Sequence, residues 1–141
     1  MKGLPQRSDE TSVSLALDAR RSRKLLLIDD YDDTREVLAC VLERLGHRVS
    51  TAATGLDGVD QALRSRPEIS LIDIGLPDMD GYDVARVLRR VFGADVYLIA
   101  FTGYGRLEDR ARAFEAGFDA HLTKPAEIAR LEHVLGCGRD R

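Results

Sequence analysis

The sequence predicts an α/β fold, in which a parallel sheet of five strands carries helices on both faces. Five short apolar runs alternate along the chain with longer segments that have helical periodicity. The runs are apolar at consecutive positions, which is typical of strands buried on both faces, whereas half-buried strands alternate apolar and polar residues. Because the connections are short and crossovers between parallel strands are right-handed, the five strand–helix units form an open (βα)5 sheet.

Each element is assigned from these patterns in chain order. The strands are predicted at Leu25–Ile28, Arg48–Ala52, Ile69–Ile72, Val96–Phe101 and Ala120–Leu122. The first helix is predicted from apolar residues that recur at spacings of three and four between Val37 and Leu45. Asp33 and Glu36 form a capping box at its start, and Gly46 ends it. The other helices are predicted at Gly55–Ser65, Tyr82–Val91, Arg106–Ala116 and Ala126–Leu135.

The length of the chain, 141 residues, leaves room for one domain with short flanks. Its net charge of −3 is unevenly distributed, because residues 1–24 carry six basic and three acidic side chains. Those first residues are polar and lack helical periodicity. We therefore expect a flexible N-terminal tail at residues 1–23, one folded domain at residues 24–136 and a short C-terminal tail at residues 137–141.

Several classes of protein are excluded by composition. A chain of net negative charge is not expected to bind nucleic acid directly. No apolar run approaches the roughly 20 residues that span a bilayer, so we expect no membrane segment. The N-terminus lacks the apolar core of an export signal, and the two cysteines, Cys40 and Cys137, have no CxxC spacing. We therefore expect a reduced protein in the cytoplasm.

Polar side chains follow four of the five predicted strands at the point where each strand ends. Asp29 and Asp30 follow the first strand, Asp73 the third, Thr102 the fourth, and Lys124 comes just after the fifth. In an open α/β sheet ligands bind outside these carboxyl ends, so we expect the five side chains to meet there. Three carboxylates that repel one another indicate a bound cation, and oxygen ligands without Cys or His favour Mg²⁺.

Asp73 has two interpretations from its position alone. A carboxylate at the end of a central strand, beside Mg²⁺ and opposite a lysine, is placed as a nucleophile toward phosphorus. It also fits a turn residue that bonds its own loop. Other metal motifs fail: Asp78-Met79-Asp80-Gly81 lacks ligands at the ends of a calcium loop.

Four segments resemble the receiver domain of bacterial two-component response regulators: LLLIDDYDD, LIDIGLPDMDGYDVARVLR, LIAFTGYG and AGFDAHLTKP. The resemblance covers roughly residues 24–135. The chain is similar to chemotaxis regulators, and most similar to receivers attached to hybrid sensor histidine kinases. It implies a flavodoxin-like, doubly wound sheet with strand order 2-1-3-4-5, and a receiver domain at residues 24–136.

The resemblance also implies a phosphorylation site. Asp73 would take a phosphoryl group from a histidine kinase or phosphotransfer protein, and Lys124 would pair with that group. Mg²⁺ would be held by Asp73, by Asp30 directly, by Asp29 through water, and by the backbone carbonyl of Gly75.

The resemblance further implies a switch. Thr102 would move toward the phosphoryl group, and a downstream protein would bind the face formed by the fourth helix and fifth strand. The second switch position of the family, usually Tyr or Phe, is His121 here. This histidine is either a packing residue or a pH-sensitive switch. Such a domain signals rather than acting as an enzyme, although it hydrolyses its own phosphate slowly.

The alternative function is a phosphatase. Residues 30–34 also fit DxDxT, the signature of haloacid-dehalogenase-type phosphatases, which would make Asp30 the nucleophile and Asp32 the acid/base. This interpretation leaves Asp73 without a role, and Asp29 is an unusual residue before such a motif. A module that binds partners without phosphorylation leaves all five site residues unexplained.

Overall fold

The computed structural model describes residues 22–103, 107–124 and 128–139, and it has the predicted architecture. The five strands are β1 (Lys24–Ile28), β2 (Arg48–Ala52), β3 (Ile69–Asp73), β4 (Tyr97–Thr102) and β5 (Ala120–Thr123). The helices are α1 (Asp32–Arg44), α2 (Gly55–Ser65), α3 (Gly81–Phe92), α4 (Leu107–Ala116) and α5 (Ile128–Arg139), with a 3₁₀ turn at Gly93–Asp95. All neighbouring strands are parallel, in the order β2-β1-β3-β4-β5. The prediction of a doubly wound, flavodoxin-like sheet is confirmed.

Two apolar cores lie on opposite faces of this sheet, and they explain the continuous apolar runs. Leu25 and Leu27 of β1 pack in a core with α1 and α5, whereas Leu26 and Ile28 pack in a second core with α2, α3 and α4. Successive side chains of a strand point to opposite faces. A strand covered on both sides therefore needs apolar residues at every position.

The prediction that Asp33 caps the first helix is wrong. Helix α1 begins at Asp32, its N-cap is Tyr31, and no side chain caps it. The turn before it is formed by Asp29 instead, since the Tyr31 N–H donates to Asp29 Oδ1 at 2.9 Å. The Arg35 N–H then donates to the Tyr31 carbonyl, which starts the helix earlier than the capping box predicted.

The ends of the other elements agree with the sequence within a few residues. Helix α2 has the predicted bounds, and α3 is one residue longer at each end. Helix α5 continues to Arg139, beyond the predicted end at Leu135. The predicted first residues of α4 and α5, Arg106 and Ala126, lie outside the described residues, as do residues 1–21 and 140–141 of the expected tails.

Candidate functional site

The carboxyl edge of the sheet brings the predicted site residues together. Asp29 and Asp30 directly follow β1, Asp73 is the last residue of β3, and Thr102 is the last residue of β4. Lys124 directly follows β5. Because all five strands are parallel, these carboxyl ends lie on one side of the sheet.

Three carboxylates form the centre of this site. Asp29, Asp30 and Asp73 each offer an oxygen, and the three oxygens lie within 4.8 Å of one another. Asp29 is fully buried and Asp73 is 7% exposed, while Asp30 lies closer to solvent. Oδ1 of Asp29 accepts the Tyr31 N–H, whereas the buried Oδ2 has the Lys124 ammonium, 3.3 Å away, as its nearest partner among the described residues. An oxygen in that situation is available as a ligand for a cation.

Lys124 faces two of these carboxylates. Its ammonium nitrogen lies 3.1 Å from Oδ2 of Asp73 and 3.3 Å from Oδ2 of Asp29. It also lies 5.1 Å from the centre of the Phe101 ring. One ammonium among three carboxylates leaves two negative charges uncompensated when all groups are ionised. A divalent cation matches that charge, and an all-oxygen ligand set suits Mg²⁺ or a similar hard ion.

The pKa values at the site follow from burial and from these contacts. Burial raises the pKa of Asp29 above its usual value; the Tyr31 N–H and the Lys124 ammonium lower it in part, and the charge of Asp73 raises it further. For Lys124, burial lowers the pKa, but the hydrogen bond and charge of Asp73, with the charge of Asp29, outweigh it and raise the pKa overall. The lysine is therefore a permanent cation at neutral pH.

The two oxygens of Asp73 have different partners. Oδ1 accepts the Gly75 N–H at 3.1 Å, as a turn residue would. Oδ2 accepts from Lys124 and belongs to the charged cluster. The backbone at Asp73 is closely packed, since a Cβ added to Gly81 would lie 2.6 Å from the Asp73 carbonyl oxygen. The start of α3 therefore abuts the main chain of the central aspartate.

Thr102 is buried beside this cluster. Its neighbour Phe101 is the register partner of Asp73, so Thr102 lies one position further along β4 than the aspartate. Thr102 is 6% exposed, and its carbonyl accepts the Lys124 N–H at 2.7 Å. This backbone hydrogen bond holds the base of the lysine next to β4.

His121 lies on β5 as the register partner of Ala100 of β4, and it is not part of the carboxylate cluster. Both ring nitrogens are buried and have no hydrogen-bond partner among the described residues. Burial lowers the pKa of His121, the charges of Arg110 and Arg130 lower it further, and Asp109 partly opposes them. The ring is therefore neutral in this environment at neutral pH.

A groove of about 180 Å³ lies between α4 and β5, and His121 forms part of its wall. The other lining residues are Arg110, Ala113, Phe114, Phe118 and Ala120. The side chain of Phe114 is 73% exposed, so a large apolar surface borders the groove. Exposed aromatic surface next to a basic side chain is typical of a protein-binding face.

Two side chains near the site were not predicted. The guanidinium of Arg35 donates to the backbone carbonyl of Asp29 at 2.8 Å and to Asp32 at 2.6 Å, which ties the acidic loop to α1. Asp78 bonds the first two backbone amides of α2, at Gly55 and Leu56. The Asp32–Arg35 pair is a local i,i+3 contact, but no local sequence pattern indicates the bonds from Arg35 to the Asp29 carbonyl or from α2 to Asp78.

The phosphatase alternative finds no support in this geometry. Asp32, its acid/base residue, lies in the first turn of α1, where its side chain is 76% exposed and pairs with Arg35. Asp32 is outside the carboxylate cluster, which contains Asp73 instead.

Comparison with known proteins identifies one family. A family model described as the response regulator receiver domain matches residues 25–136. The transcriptional regulatory protein AfsQ1 of Streptomyces coelicolor is 38% identical over 81% of this chain, which spans 52% of AfsQ1. The sensor histidine kinase RcsC of Escherichia coli is 29% identical over 88% of this chain, which spans 13% of RcsC. One of these relatives is named a transcriptional regulator and the other a sensor histidine kinase, so they do not distinguish between the two kinds of protein.

Solved structures agree with this assignment. The BeF3-activated DrrB receiver domain superimposes with a TM-score of 0.77 and 26% identity, over 85% of this chain and 99% of its own. Among the described residues, no helix combines the length and apolar character needed to cross a membrane.

Proposed function

The chain belongs to the response regulator receiver family, and from this we propose that it is a phosphoacceptor switch whose acceptor is Asp73. The observation that carries the proposal is the position of Oδ2 of Asp73. This oxygen contacts Lys124 at 3.1 Å and lies within a cluster of three carboxylates at the carboxyl edge of the sheet. Receiver domains act in two-component signalling with histidine kinases or phosphotransfer proteins and with downstream effectors.

Asp73 would act as the nucleophile. A carboxylate oxygen attacks the phosphorus of a phosphohistidine, the P–N bond breaks, and an acyl phosphate forms on Asp73 while the donor keeps the electron pair of the P–N bond. The Lys124 ammonium, already beside Oδ2, would offset the negative charge of the new phosphoryl group. The Thr102 hydroxyl, at the buried end of β4, would donate a hydrogen bond to it.

Mg²⁺ fits the donor set at this site. Asp29, Asp30 and Asp73 would hold the ion together with the Gly75 carbonyl, and the buried Oδ2 of Asp29, within 4.8 Å of the other two carboxylates, supports this assignment. When bound, the ion would offset negative charge on the phosphoryl group during transfer. Slow hydrolysis of the acyl phosphate at the same site would return the domain to its resting state, so the protein is a switch rather than an enzyme with turnover on other substrates.

Phosphorylation would be transmitted through Thr102 and His121 to the face of α4 and β5. The groove beside His121 and the exposed Phe114 support this face as the place where a downstream protein binds. We assign the receiver to residues 24–136, with an N-terminal tail at 1–23 and a C-terminal flank at 137–141 whose first three residues complete α5. We place its action in the cytoplasm with its kinase.

The test is phosphorylation by acetyl phosphate with Mg²⁺, followed by intact-mass and peptide mass spectrometry. We expect one phosphoryl group on Asp73 of the wild-type chain and none on Asp73→Asn. Asp32→Asn is the control, because it removes a neighbouring exposed carboxylate and should be labelled normally. If Asp73→Asn is still labelled whereas Asp30→Asn is not, the phosphatase alternative is correct.

A further inference from the structure

Helix α2 is capped from a distance by the loop that follows Asp73. The first two amides of this helix, at Gly55 and Leu56, donate to Oδ1 and Oδ2 of Asp78 at 2.7 and 2.9 Å. The next two amides are bonded by the side chain and carbonyl of Thr54. Three of the four amides that a helix leaves free at its start are thus paired, Asp57 through the Thr54 side chain and Gly55 and Leu56 through Asp78, while Gly58 makes the first bond within the helix.

A second contact holds the same loop against the same helix end. A Cβ added to Gly55 would lie 2.2 Å from Cγ and 2.9 Å from Sδ of Met79. The absence of a side chain at Gly55 therefore lets Met79 pack directly on the first turn of α2. The loop is joined to α2 by a charged cap and by an apolar contact at consecutive residues.

The other side of this loop lies in the carboxylate site. The Gly75 N–H donates to Oδ1 of Asp73, and the Gly81 N–H donates to the Ile74 carbonyl at 3.0 Å. Asp80 caps α3 by accepting the Tyr82 N–H at 2.9 Å. The segment between Asp73 and α3 is thus fixed at both ends, and Asp78 joins its middle to α2.

We infer that Asp78 is a positioning residue for the phosphorylation site. By clamping the loop to α2, Asp78 keeps the main chain at Gly75 beside Asp73, where its carbonyl is a cation ligand and its amide orients the aspartate. The inference rests on the proposed function, because that proposal makes the Gly75 carbonyl a Mg²⁺ ligand. The amides of Leu56 and Gly55 also hold the pKa of Asp78 below its usual value, so the cap stays ionised through the neutral range.

The test compares two variants of the full chain that each remove caps from the same helix. Asp78→Ala and Thr54→Val should both lower the urea midpoint, because the first leaves two amides of α2 unpaired and the second leaves one. Only Asp78→Ala should weaken Mg²⁺ binding, by about tenfold, as expected for a group that orients a ligand. Mg²⁺ affinity is measured by calorimetric titration, and the rate of labelling by acetyl phosphate should fall in the same variant.

Two further variants separate positioning from charge and from folding. Asp57→Asn removes an equal charge from the exposed first turn of α2, and it should leave Mg²⁺ affinity unchanged. Asp78→Asn keeps one cap oxygen, so its affinity should lie between those of wild type and Asp78→Ala even if the alanine variant folds poorly.

Two outcomes would overturn the inference. In the first, Asp78→Ala binds Mg²⁺ as tightly as Thr54→Val does; in the second, Asp78→Asn binds Mg²⁺ as tightly as Asp57→Asn does. Its failure is distinguishable from failure of the proposed function, because Mg²⁺ affinity is measured without phosphorylation. A wild-type chain that is never labelled on Asp73 would overturn the proposed function, whatever the order of Mg²⁺ affinities among the variants.

Discussion

His121 lowers the stability of the folded protein in a way that the sequence does not reveal. Its ring replaces the Tyr or Phe expected at this position, yet both nitrogens are buried without partners among the described residues. Leaving buried polar atoms unpaired is unfavourable, and protonating them is more so. The observed position of this side chain therefore favours the neutral ring over the protonated one.

Replacing His121 tests this cost. We expect His121→Phe to raise the free energy of unfolding by about 1–2 kcal/mol at neutral pH, because two unpaired nitrogens are removed. The folded pKa of His121 lies below the unfolded value of 6.5, so the wild type loses stability as pH falls below 6.5 toward the folded pKa. Urea unfolding at several pH values measures both effects.

A second histidine shows why the comparison must be made between the two proteins. His47 accepts the Arg23 N–H at Nδ1, and burial also lowers its pKa, so both proteins lose some stability in acid. The difference between wild type and His121→Phe isolates the effect of His121. If the stabilities of the two proteins change with pH in parallel, His121 is not the source of the loss of stability in acid.

At the scale of elements, one arginine joins three parts of the fold. Arg89, near the end of α3, donates to the carbonyls of Gly93 and Val96 before β4 and to the Gly117 carbonyl after α4. It also pairs at 2.6 Å with Asp119, which in turn accepts the Leu98 N–H of β4. This network fixes the C-terminal end of α4 to α3 on the side opposite the carboxylates.

Removing Arg89 should therefore destabilise the domain more than removing an ordinary surface arginine. We expect Arg89→Ala to cost about 2–3 kcal/mol, since it removes the cationic partner of a partly buried carboxylate and the guanidinium donor of three carbonyls. Arg89→Lys should recover little, because an ammonium does not reproduce the forked guanidinium contacts. Arg86→Ala is the control: its exposed pair with Asp83 should cost under about 0.5 kcal/mol. Equal costs in chemical denaturation would contradict this role.

At the scale of the whole molecule, the carboxylate cluster makes stability depend on a cation. A ligand that binds only the folded state stabilises it by about 1.4 kcal/mol at ten times its dissociation constant. We expect thermal unfolding to show this gain with MgCl₂ over EDTA, and Asp30→Asn to lose it. Asp32→Asn, outside the cluster, should keep it.

The stabilisation of the folded protein by Mg²⁺ should increase as pH rises. Because the pKa of Asp29 is raised in the folded state, the cation-free protein loses stability as pH rises from the unfolded value of 3.8 through the folded pKa. Mg²⁺ competes with the proton on Asp29, so its stabilising effect increases over that window. A gain independent of pH would mean that Asp29 does not contribute to binding.

The sequence by itself determined the architecture and which side chains meet at the carboxyl edge of the sheet. Continuous apolar runs such as Leu25–Ile28 predicted strands buried on both faces, and the parallel sheet that follows places Asp29, Asp73 and Lys124 at one edge. These features depend on the order and periodicity of residues along the chain, which is why they could be predicted.

The tertiary structure decided which donor meets which acceptor. Helix α1 begins before Asp33 because Asp29 forms the turn, Asp78 caps a helix that starts 23 residues earlier, and Arg89 pairs with Asp119 thirty residues away. A hydrogen bond between distant segments leaves no periodic trace in the sequence. Its partners are selected only when packing brings two loops within about 3 Å of each other.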